Sequence, residues 1–305
     1  MRCAACNAEL PASPSLRGPD RLLGTPGEFE VLECARCGAG LTRPDASAAE
    51  LEAFYTGSYA PYEVAVGPVQ RIISAVLQRA QGWRAVRAAP LAALQSLPRG
   101  RALDVGCGRG DLGAQLIARG WSVTGIDPSQ AACAAARARG LDARPGTLDD
   151  VELEPGAFDV AILQHSLEHV PEPIEDLHRL NAALRDDGLL LITIPNFGSW
   201  QRKAFRTRWF HLDLPRHRVH FTRDALGRTF ERTGFEAVDI STSTSSVGLP
   251  ASVQYALFGR CMFPGGLALR VAVGACIVLL PFIWLADRLL GDGDVLHAVA
   301  RRARS

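Results

Sequence analysis

Short apolar runs alternate with amphipathic stretches from residue 101 onward. Such runs predict buried strands, and apolar residues at helical spacing between them predict helices. The predicted strands are residues 102–105, 122–126, 158–163, 189–194 and 237–240. The predicted helices are residues 111–119, 129–139, 174–184 and 223–233. This regular alternation predicts an α/β fold in which helices cover both faces of a parallel sheet.

Three regions lie outside the alternating pattern. Residues 1–45 are rich in cysteine and loop-forming residues and predict a small separate head. Residues 46–98 contain charged and amphipathic stretches that a Pro-Arg-Gly sequence ends, so they predict a helical linker or lid. The sheet domain occupies residues 99–305, and within it residues 249–290 are far more apolar than the chain average.

Composition narrows the class of protein. The chain has 305 residues, 33 basic and 32 acidic side chains, and 48% hydrophobic residues, which excludes a mainly disordered chain. The near-neutral balance excludes a globally basic nucleic-acid binder, although a local basic patch remains open. A chain this long does not need its eight cysteines as a disulfide scaffold, and its N-terminus lacks a signal-peptide core. We therefore expect a cytoplasmic protein.

A glycine-rich loop joins the first predicted strand to the first predicted helix. Asp104 on the strand is followed by Gly106, Gly108 and Gly110, which allow a tight turn close to a ligand. Asp127 ends the next strand, where a carboxylate can accept hydrogen bonds from both ribose hydroxyls. The third glycine comes one position earlier than a nicotinamide-binding fingerprint requires. The pattern therefore predicts a different nucleoside-containing cofactor.

This early glycine and the acidic residues resemble motif I of the class I S-adenosylmethionine-dependent methyltransferases. The resemblance covers about residues 101–196 and includes four ordered motifs. It implies S-adenosylmethionine as cofactor, Asp127 as the ribose-binding acid, and Asp149 and Gln164 as further cofactor-binding residues. It also implies a Rossmann-like seven-stranded sheet whose last strand, residues 295–300, is antiparallel.

Two histidines follow the strand at 158–163, where sheets of this kind bind ligands. If the methyl acceptor is a hydroxyl, His165 or His169 is a candidate general base, and we assign both as candidate catalytic residues. The alternative is that one imidazole only packs beneath the cofactor or caps the following helix. Methyl transfer from a sulfonium is an in-line displacement that needs positioning more than acid–base help.

The head carries two Cys-x-x-Cys knuckles, Cys3 with Cys6 and Cys34 with Cys37. Four thiolates in this pattern predict a closed, structural zinc site, a zinc ribbon with a long insert. Buried or redox-active thiols are the alternative. Residues 33–59 also resemble the zinc-headed branch of these methyltransferases, which includes enzymes acting on sugars and a related group acting on ribosomal RNA.

Residues 201–223 carry seven cationic side chains, one acid and interleaved aromatic rings. They predict a lid that attracts a phosphate or an anionic lipid headgroup, with RNA binding and a solvated surface loop as alternatives. Residues 211–222 resemble a motif of the same methyltransferase branch, which favours an acceptor-side role.

The apolar insert at 249–290 contains sixteen consecutive uncharged residues. A helix of that length spans about 24 Å, shorter than a hydrocarbon core of about 30 Å, and Pro281 would kink it. A single crossing would also separate the last strand from its sheet. We therefore expect peripheral or monotopic membrane contact, with a homodimer interface or extra core as alternatives.

Together these features predict methyl transfer from S-adenosylmethionine to a hydroxyl of a lipid-linked sugar, a glycan precursor or an isoprenoid or other lipid. The reaction would take place at the inner face of the cell membrane. An RNA methyltransferase that holds nucleic acid with the head and the basic segment is the alternative, and a non-enzymatic scaffold that keeps the cofactor pocket is a third reading. The sequence leaves the acceptor open.

Overall fold

The structure is a computed structural model that describes residues 1–44, 94, 97–245, 247–260, 285–287, 289–290 and 292–303. The predicted helical linker and most of the apolar insert lie outside these residues. The strands are β1 Leu16–Gly18, β2 Phe29–Glu33, β3 Gly40–Arg43, β4 Arg101–Val105, β5 Ser122–Asp127, β6 Asp142–Pro145, β7 Phe158–Gln164, β8 Leu184–Pro195, β9 Val219–His220, β10 Phe235–Ser243 and β11 Val295–Arg302. The α-helices are α1 Asp111–Ile117, α2 Gln130–Arg137, α3 Pro173–Ala183, α4 Trp200–Phe205, α5 Arg223–Arg232 and α6 Gly248–Phe258.

Seven strands form one sheet in the order β10-β11-β8-β7-β4-β5-β6. Strand β11 is antiparallel to both of its neighbours, and the other pairs are parallel. Apolar side chains fill the space on both faces of the sheet, as expected for strands that read as near-continuous apolar runs. The predicted Rossmann-like sheet with an antiparallel last strand is confirmed.

Strand β6 is an element of this sheet whose position neither the apolar pattern nor the family resemblance predicted. Its residues are Asp-Ala-Arg-Pro, and only Ala143 is buried. It lies at the sheet edge and pairs on one side with β5, so most of its side chains face solvent. An edge strand needs little apolar surface, and for that reason it carried no apolar signal.

The head contains a second, antiparallel sheet in the order β1-β2-β3-β9. Its fourth strand, β9, comes from the basic segment and places His220 opposite Gly40. A Cβ on Gly40 would lie 2.7 Å from Val31 and 3.1 Å from Phe197. The position at which β3 pairs with β9 therefore requires glycine. The head and the later part of the chain are therefore joined by a shared sheet.

The second half of the basic segment differs from both the lid and the surface loop that its charge pattern predicts, whereas Lys203, Arg206 and Arg208 in its first half are exposed. From Trp209 to Phe221 nearly all side chains are buried. The Arg216 guanidinium is fully buried, where it donates to both carboxylate oxygens of Asp20 at 2.8 Å and to Asp213. Its main partner, Asp20, lies almost 200 residues away in sequence. The charges within the segment alone therefore could not show that Arg216 is neutralised.

Among the residues that the structure describes, no helix is both long enough and apolar enough to span a membrane.

Candidate cofactor and acceptor site

The glycine loop between β4 and α1 lies against the end of β7. Gly106, Gly108 and Gly110 all have positive φ angles, of 77°, 51° and 79°, which L side chains rarely adopt. A Cβ on Gly106 would lie 2.6 Å from the Cβ of Ser166, whose hydroxyl donates to the Val105 carbonyl at 2.8 Å. The loop therefore depends on glycine both for its conformation and for its close approach to β7.

Asp127 fixes the glycine loop from the neighbouring strand. Its Oδ2 accepts a hydrogen bond from the Gly108 amide at 2.8 Å, and its Oδ1 accepts one from the Ser129 amide at 2.9 Å. Burial raises the pKa of Asp127, and the two amides counteract part of that rise. Each carboxylate oxygen keeps a second lone pair, so the group can still accept ribose hydroxyls.

Asp104 lies beside Asp127 and is almost fully buried. Its Oδ2 has no hydrogen-bond partner among the described residues. Burial, and then repulsion from Asp127, raise the pKa of Asp104 to about 7. Two neighbouring buried carboxylates favour a cationic ligand, because a positive charge would relieve both the desolvation and the repulsion. The ammonium and sulfonium groups of S-adenosylmethionine have that charge.

The other two predicted cofactor residues lie at the same sheet edge but are more exposed. Asp149 follows β6 in a turn and pairs with Arg179 of α3. In that turn Asp150, and not Asp149, accepts from the amide and hydroxyl of Thr147, both at 2.8 Å. Gln164 is exposed at the last position of β7. Their roles toward a cofactor stay predictions.

The two candidate catalytic histidines have different surroundings. His165 has a φ of 54°, its side chain is 44% exposed, and its Nδ1 lies 3.4 Å from Oε1 of Glu168. His169 is partly buried, and its Nδ1 lies 3.1 Å from the carbonyl oxygen of Arg216. The accessible imidazole of His165 is the better placed of the two to meet an acceptor. The choice for His169 between a general base and an imidazole that only packs beneath the cofactor or caps the following helix stays a prediction.

A third histidine, which the sequence did not single out, lies at the same edge. His297 of β11 contacts the hydroxyl of Thr193 through Nδ1 at 3.1 Å and the hydroxyl of Ser243 through Nε2 at 2.7 Å. Burial, and then the nearby His165, lower the pKa of His297 to about 4. The ring is therefore neutral near pH 7. Its position follows from the antiparallel direction of β11, whose first residues meet the carboxyl end of β8.

The sequence patterns did not single out Glu168 or His217 as candidate site residues either. Glu168 is buried, and neither of its carboxylate oxygens has a hydrogen-bond partner among the described residues. His217 Nε2 lies 3.9 Å from Glu168 Oε1, and its ring is 4.7 Å from that of His169. Burial, and then the neighbouring histidines, lower the pKa of His217 well below its usual value. No spacing rule connects these residues, because they come from distant segments that meet only in the fold.

The four knuckle cysteines converge in the head. Cys3 and Cys37 have their sulfur atoms 3.6 Å apart, as do Cys6 and Cys34, and all four sulfurs lie within 4.8 Å of one another. Zinc–thiolate bonds of about 2.3 Å in tetrahedral geometry place sulfurs about 3.8 Å apart, so the donor set fits a zinc ion. Each knuckle is followed by a residue with positive φ, Asn7 or Gly38.

Two side-chain hydrogen bonds connect the cysteine head to residues 217–222. The Thr222 hydroxyl donates to the Cys37 carbonyl at 2.6 Å and also caps α5 by accepting from the Ala225 amide. The Thr42 hydroxyl donates to the carbonyl of His217 at 2.6 Å. The head therefore holds the backbone on which His217 lies.

Comparison with known proteins agrees with this architecture. Residues 76–240, more than half of the chain, match the family described as "Methyltransferase domain". A ubiquinone biosynthesis O-methyltransferase of Marinobacter nauticus is 36% identical over 110 residues, which are 33% of this chain and 46% of that protein. One of Hahella chejuensis is 42% identical over 85 residues, 26% of this chain and 36% of that protein. The chain thus spans about half, or less, of the length of these relatives.

Solved structures show the same fold at low identity. A putative sarcosine dimethylglycine methyltransferase from Galdieria sulphuraria is 16% identical with a TM-score of 0.52, and the match covers 83% of this chain and 98% of that one. Geranyl diphosphate C-methyltransferase from Streptomyces coelicolor A3(2) is 15% identical with a TM-score of 0.50, covering 79% and 86%. With the sheet order, the glycine loop and the family match, the chain belongs to the class I S-adenosylmethionine-dependent methyltransferases.

Proposed function

We propose that the protein transfers the methyl group of S-adenosylmethionine to a hydroxyl of an isoprenoid, a lipid-linked sugar or another lipid-like acceptor. The observation that carries the proposal is the cradle of Asp104, Asp127 and the glycine loop in a chain of this family. The cofactor supplies a sulfonium methyl group, which is electrophilic without further activation.

Within this proposal each buried carboxylate has a separate task. Asp127 accepts the ribose hydroxyls, because two backbone amides already fix its orientation. Asp104 offers positive charge on the cofactor its Oδ2, which has no hydrogen-bond partner in the described part of the chain. Positive charge favours the ionised form of Asp104, so binding would lower the raised pKa of that carboxyl.

On the acceptor side, His165 takes the proton from the hydroxyl as it attacks. Its side chain is accessible, and the neutral His297 with its hydroxyl partners provides polar contacts beside it. The two roles differ because His297 is too buried to become charged near pH 7, whereas His165 is open to solvent.

A lipid-like acceptor is favoured by two observations. The relatives described above are named O-methyltransferases of ubiquinone biosynthesis. The described part of the apolar insert also leaves large apolar side chains exposed, namely Val253, Leu257, Phe258, Leu285, Leu289 and Leu290. Such a surface suits contact with the inner face of a membrane. Arg216 and Arg218 of the basic segment are buried and cannot reach a phosphate, so the RNA alternative depends on its exposed cations, including Lys203, Arg206 and Arg208.

The proposal includes a structural zinc ion in the head. The fit of the four sulfurs to tetrahedral spacing supports it, and four thiolates leave no open coordination position for catalysis. The ion would stabilise the sheet that β9 shares with the rest of the chain.

The first test is calorimetric binding of S-adenosylmethionine to the full chain. Asp127→Asn should weaken binding by about 10- to 100-fold, because hydrogen bonds to a charged group contribute about 1.5–3 kcal/mol. Asp142→Asn on the exposed edge strand is the matched control and should leave the affinity unchanged. Equal affinity for the Asp127 variant and the wild type would contradict the cofactor assignment.

The second test is transfer of labelled methyl groups to extracted lipids, to hydroxyl-bearing isoprenoids and to ribosomal RNA. We expect alkali-stable label in the lipid fraction, lost in His165→Asn with S-adenosylmethionine affinity retained. Label confined to RNA would instead support the alternative function, and label in neither fraction would oppose both.

A further inference from the structure

We propose that Glu168 is a positioning residue for His165: its buried carboxylate accepts the Nδ1–H of that imidazole, so that Nε2 is left to face the methyl acceptor. The two residues follow β7, and Nδ1 of His165 lies 3.4 Å from Oε1 of Glu168. The carboxylate side chain is 3% exposed and the imidazole 44%, so one partner is fixed inside the protein and the other reaches solvent. A buried carboxylate behind an accessible imidazole orients that ring for proton transfer.

A second imidazole, that of His217, lies near Glu168 but does not compete for its carboxylate. His217 Nε2 is 3.9 Å from Oε1, and its Nδ1 is 2.9 Å from the carbonyl of His211. Because a carbonyl only accepts, that Nδ1 carries the proton of the ring. Burial holds the pKa of His217 well below its usual value, so the ring is neutral and Nε2 has a lone pair. Of these two imidazoles, only that of His165 can therefore donate to Glu168.

The backbone fixes both residues at the edge of the sheet. His165 has a φ of 54°, which is uncommon for a residue other than glycine and is concentrated at functional sites. Its amide donates to the Thr193 carbonyl of β8 at 2.8 Å. The Arg218 amide donates to the Glu168 carbonyl at 2.7 Å. The contact of 3.4 Å is thus long but held in place, and hydrogen bonds of this kind often tighten only when the substrate binds.

The carboxylate acts more strongly on a charged imidazole than on a neutral one. Neither oxygen of Glu168 has a hydrogen-bond partner among the described residues, and a buried carboxylate without one is unfavourable. When His165 takes a proton, its ring becomes a cation beside that carboxylate, and their attraction offsets the desolvation. An interaction that strengthens as the reaction proceeds raises kcat, whereas one of constant strength only tightens binding.

This role rests on the proposed function, because it takes His165 as the proton acceptor. In the transfer the acceptor oxygen forms its bond to the methyl carbon as the carbon–sulfur bond breaks, and the bonding pair stays on sulfur. The hydroxyl proton passes to Nε2 of His165, from which solvent removes it afterwards. Glu168 accepts no proton in this step. The pairing of the two side chains, in contrast, can be measured without any methyl acceptor.

Nitrogen NMR of the full-length protein with labelled histidine measures that pairing. At about pH 9, above the ordinary pKa of an imidazole, we expect His165 to carry its proton on Nδ1. In Glu168→Leu, which removes the acceptor, the exposed ring should populate both tautomers. Glu175→Leu, at an exposed position of α3, is the matched control and should leave the His165 signals unchanged. The spectrum of His165→Asn identifies those signals.

Transfer of labelled methyl groups to extracted lipids, with S-adenosylmethionine saturating, measures the effect on the reaction. Glu168→Gln should lower kcat about 10- to 100-fold, a part of the roughly 10²–10⁴ that a general base contributes, and change KM for the lipid less than about threefold. Added to His165→Asn, it should cause no further loss, because Glu168 acts through that ring. Glu175→Gln should match the wild type. Unchanged S-adenosylmethionine affinity and circular dichroism establish that the variants fold.

Two results would overturn the proposal. One is a His165 ring with the same tautomers in the wild type and in Glu168→Leu. The other is an equal loss of kcat from Glu168→Gln with and without His165, as expected for a structural role. A His165→Asn variant as active as the wild type would refute the proposed general base, and with it this role, but would leave the measured pairing intact. Failure of the pairing and failure of the proposed function are therefore seen separately.

Discussion

Replacing Asp104 by asparagine should change how the free energy of unfolding depends on pH. The carboxyl is almost fully buried, and its pKa is raised from an ordinary value of 3.8 to about 7 by burial and by Asp127. The folded protein therefore holds a proton that the unfolded chain releases above about pH 4. The stability associated with that proton is complete below the unfolded pKa and is lost as the pH rises to the folded pKa.

The magnitude follows from the size of the shift. Each pH unit between the two pKa values costs about 1.4 kcal/mol, so a shift of about three units corresponds to about 4 kcal/mol. Between pH 5 and pH 8 the wild type should lose about 2.5 kcal/mol through this group alone. Asparagine cannot titrate, so the stability of Asp104→Asn relative to the wild type should rise by that amount over the same range.

Urea unfolding of both proteins at pH 5, 6, 7 and 8, without cofactor, measures this difference. The effect on packing of replacing the carboxyl group by an amide is the same at every pH, so it cancels when the difference is compared across pH values. Asp186→Asn is the matched control, because the Asp186 side chain is 81% exposed and should show no such trend. Parallel pH profiles for Asp104→Asn and the wild type would refute the reasoning.

Three further predictions concern the connection between the head and the sheet domain. Arg216→Met leaves the carboxylates of Asp20 and Asp213 without their buried partner. It should lower the free energy of unfolding by about 3–5 kcal/mol in urea titrations. A loss below about 1 kcal/mol, typical of exposed ion pairs, would contradict the buried network. Thr222→Val removes both a helix cap and the hydrogen bond to the head and should cost about 1–3 kcal/mol by the same measurement, and a neutral effect would oppose it. Cys34→Ser should abolish the bound zinc measured by elemental analysis and lower the melting temperature, whereas zinc retained at the wild-type ratio would exclude the four-sulfur site.

Local patterns predicted the sheet domain well. Strands such as β7 and β8 are continuous apolar runs because helices cover both faces of a parallel sheet, so each strand carries its own signal. The glycine loop was equally readable, since positive φ angles at Gly106, Gly108 and Gly110 are a local requirement on residue type. The exposed edge strand β6 lacked both kinds of signal.

The acceptor side was only partly predictable. His165 and His169 follow a predicted strand, and their position at the sheet edge could be inferred from topology. Glu168 lies between them in sequence, but it is distinguished by burial without a hydrogen-bond partner among the described residues, and burial is not a property of local sequence. His217 is 49 residues further along the chain. A hydrogen bond from the Arg218 amide to the Glu168 carbonyl brings the two segments together.

By itself, the sequence determined the α/β class, the glycine loop and the two Cys-x-x-Cys knuckles, because each depends on residue types at short spacing. Tertiary structure alone decided that residues 209–221 of the basic segment are mostly buried. Its charges and aromatic rings indicate an exposed surface, yet Asp20 neutralises Arg216, and β3 takes β9 into the head sheet. These partners lie almost 200 residues away, and only folding of the whole chain brings them into contact.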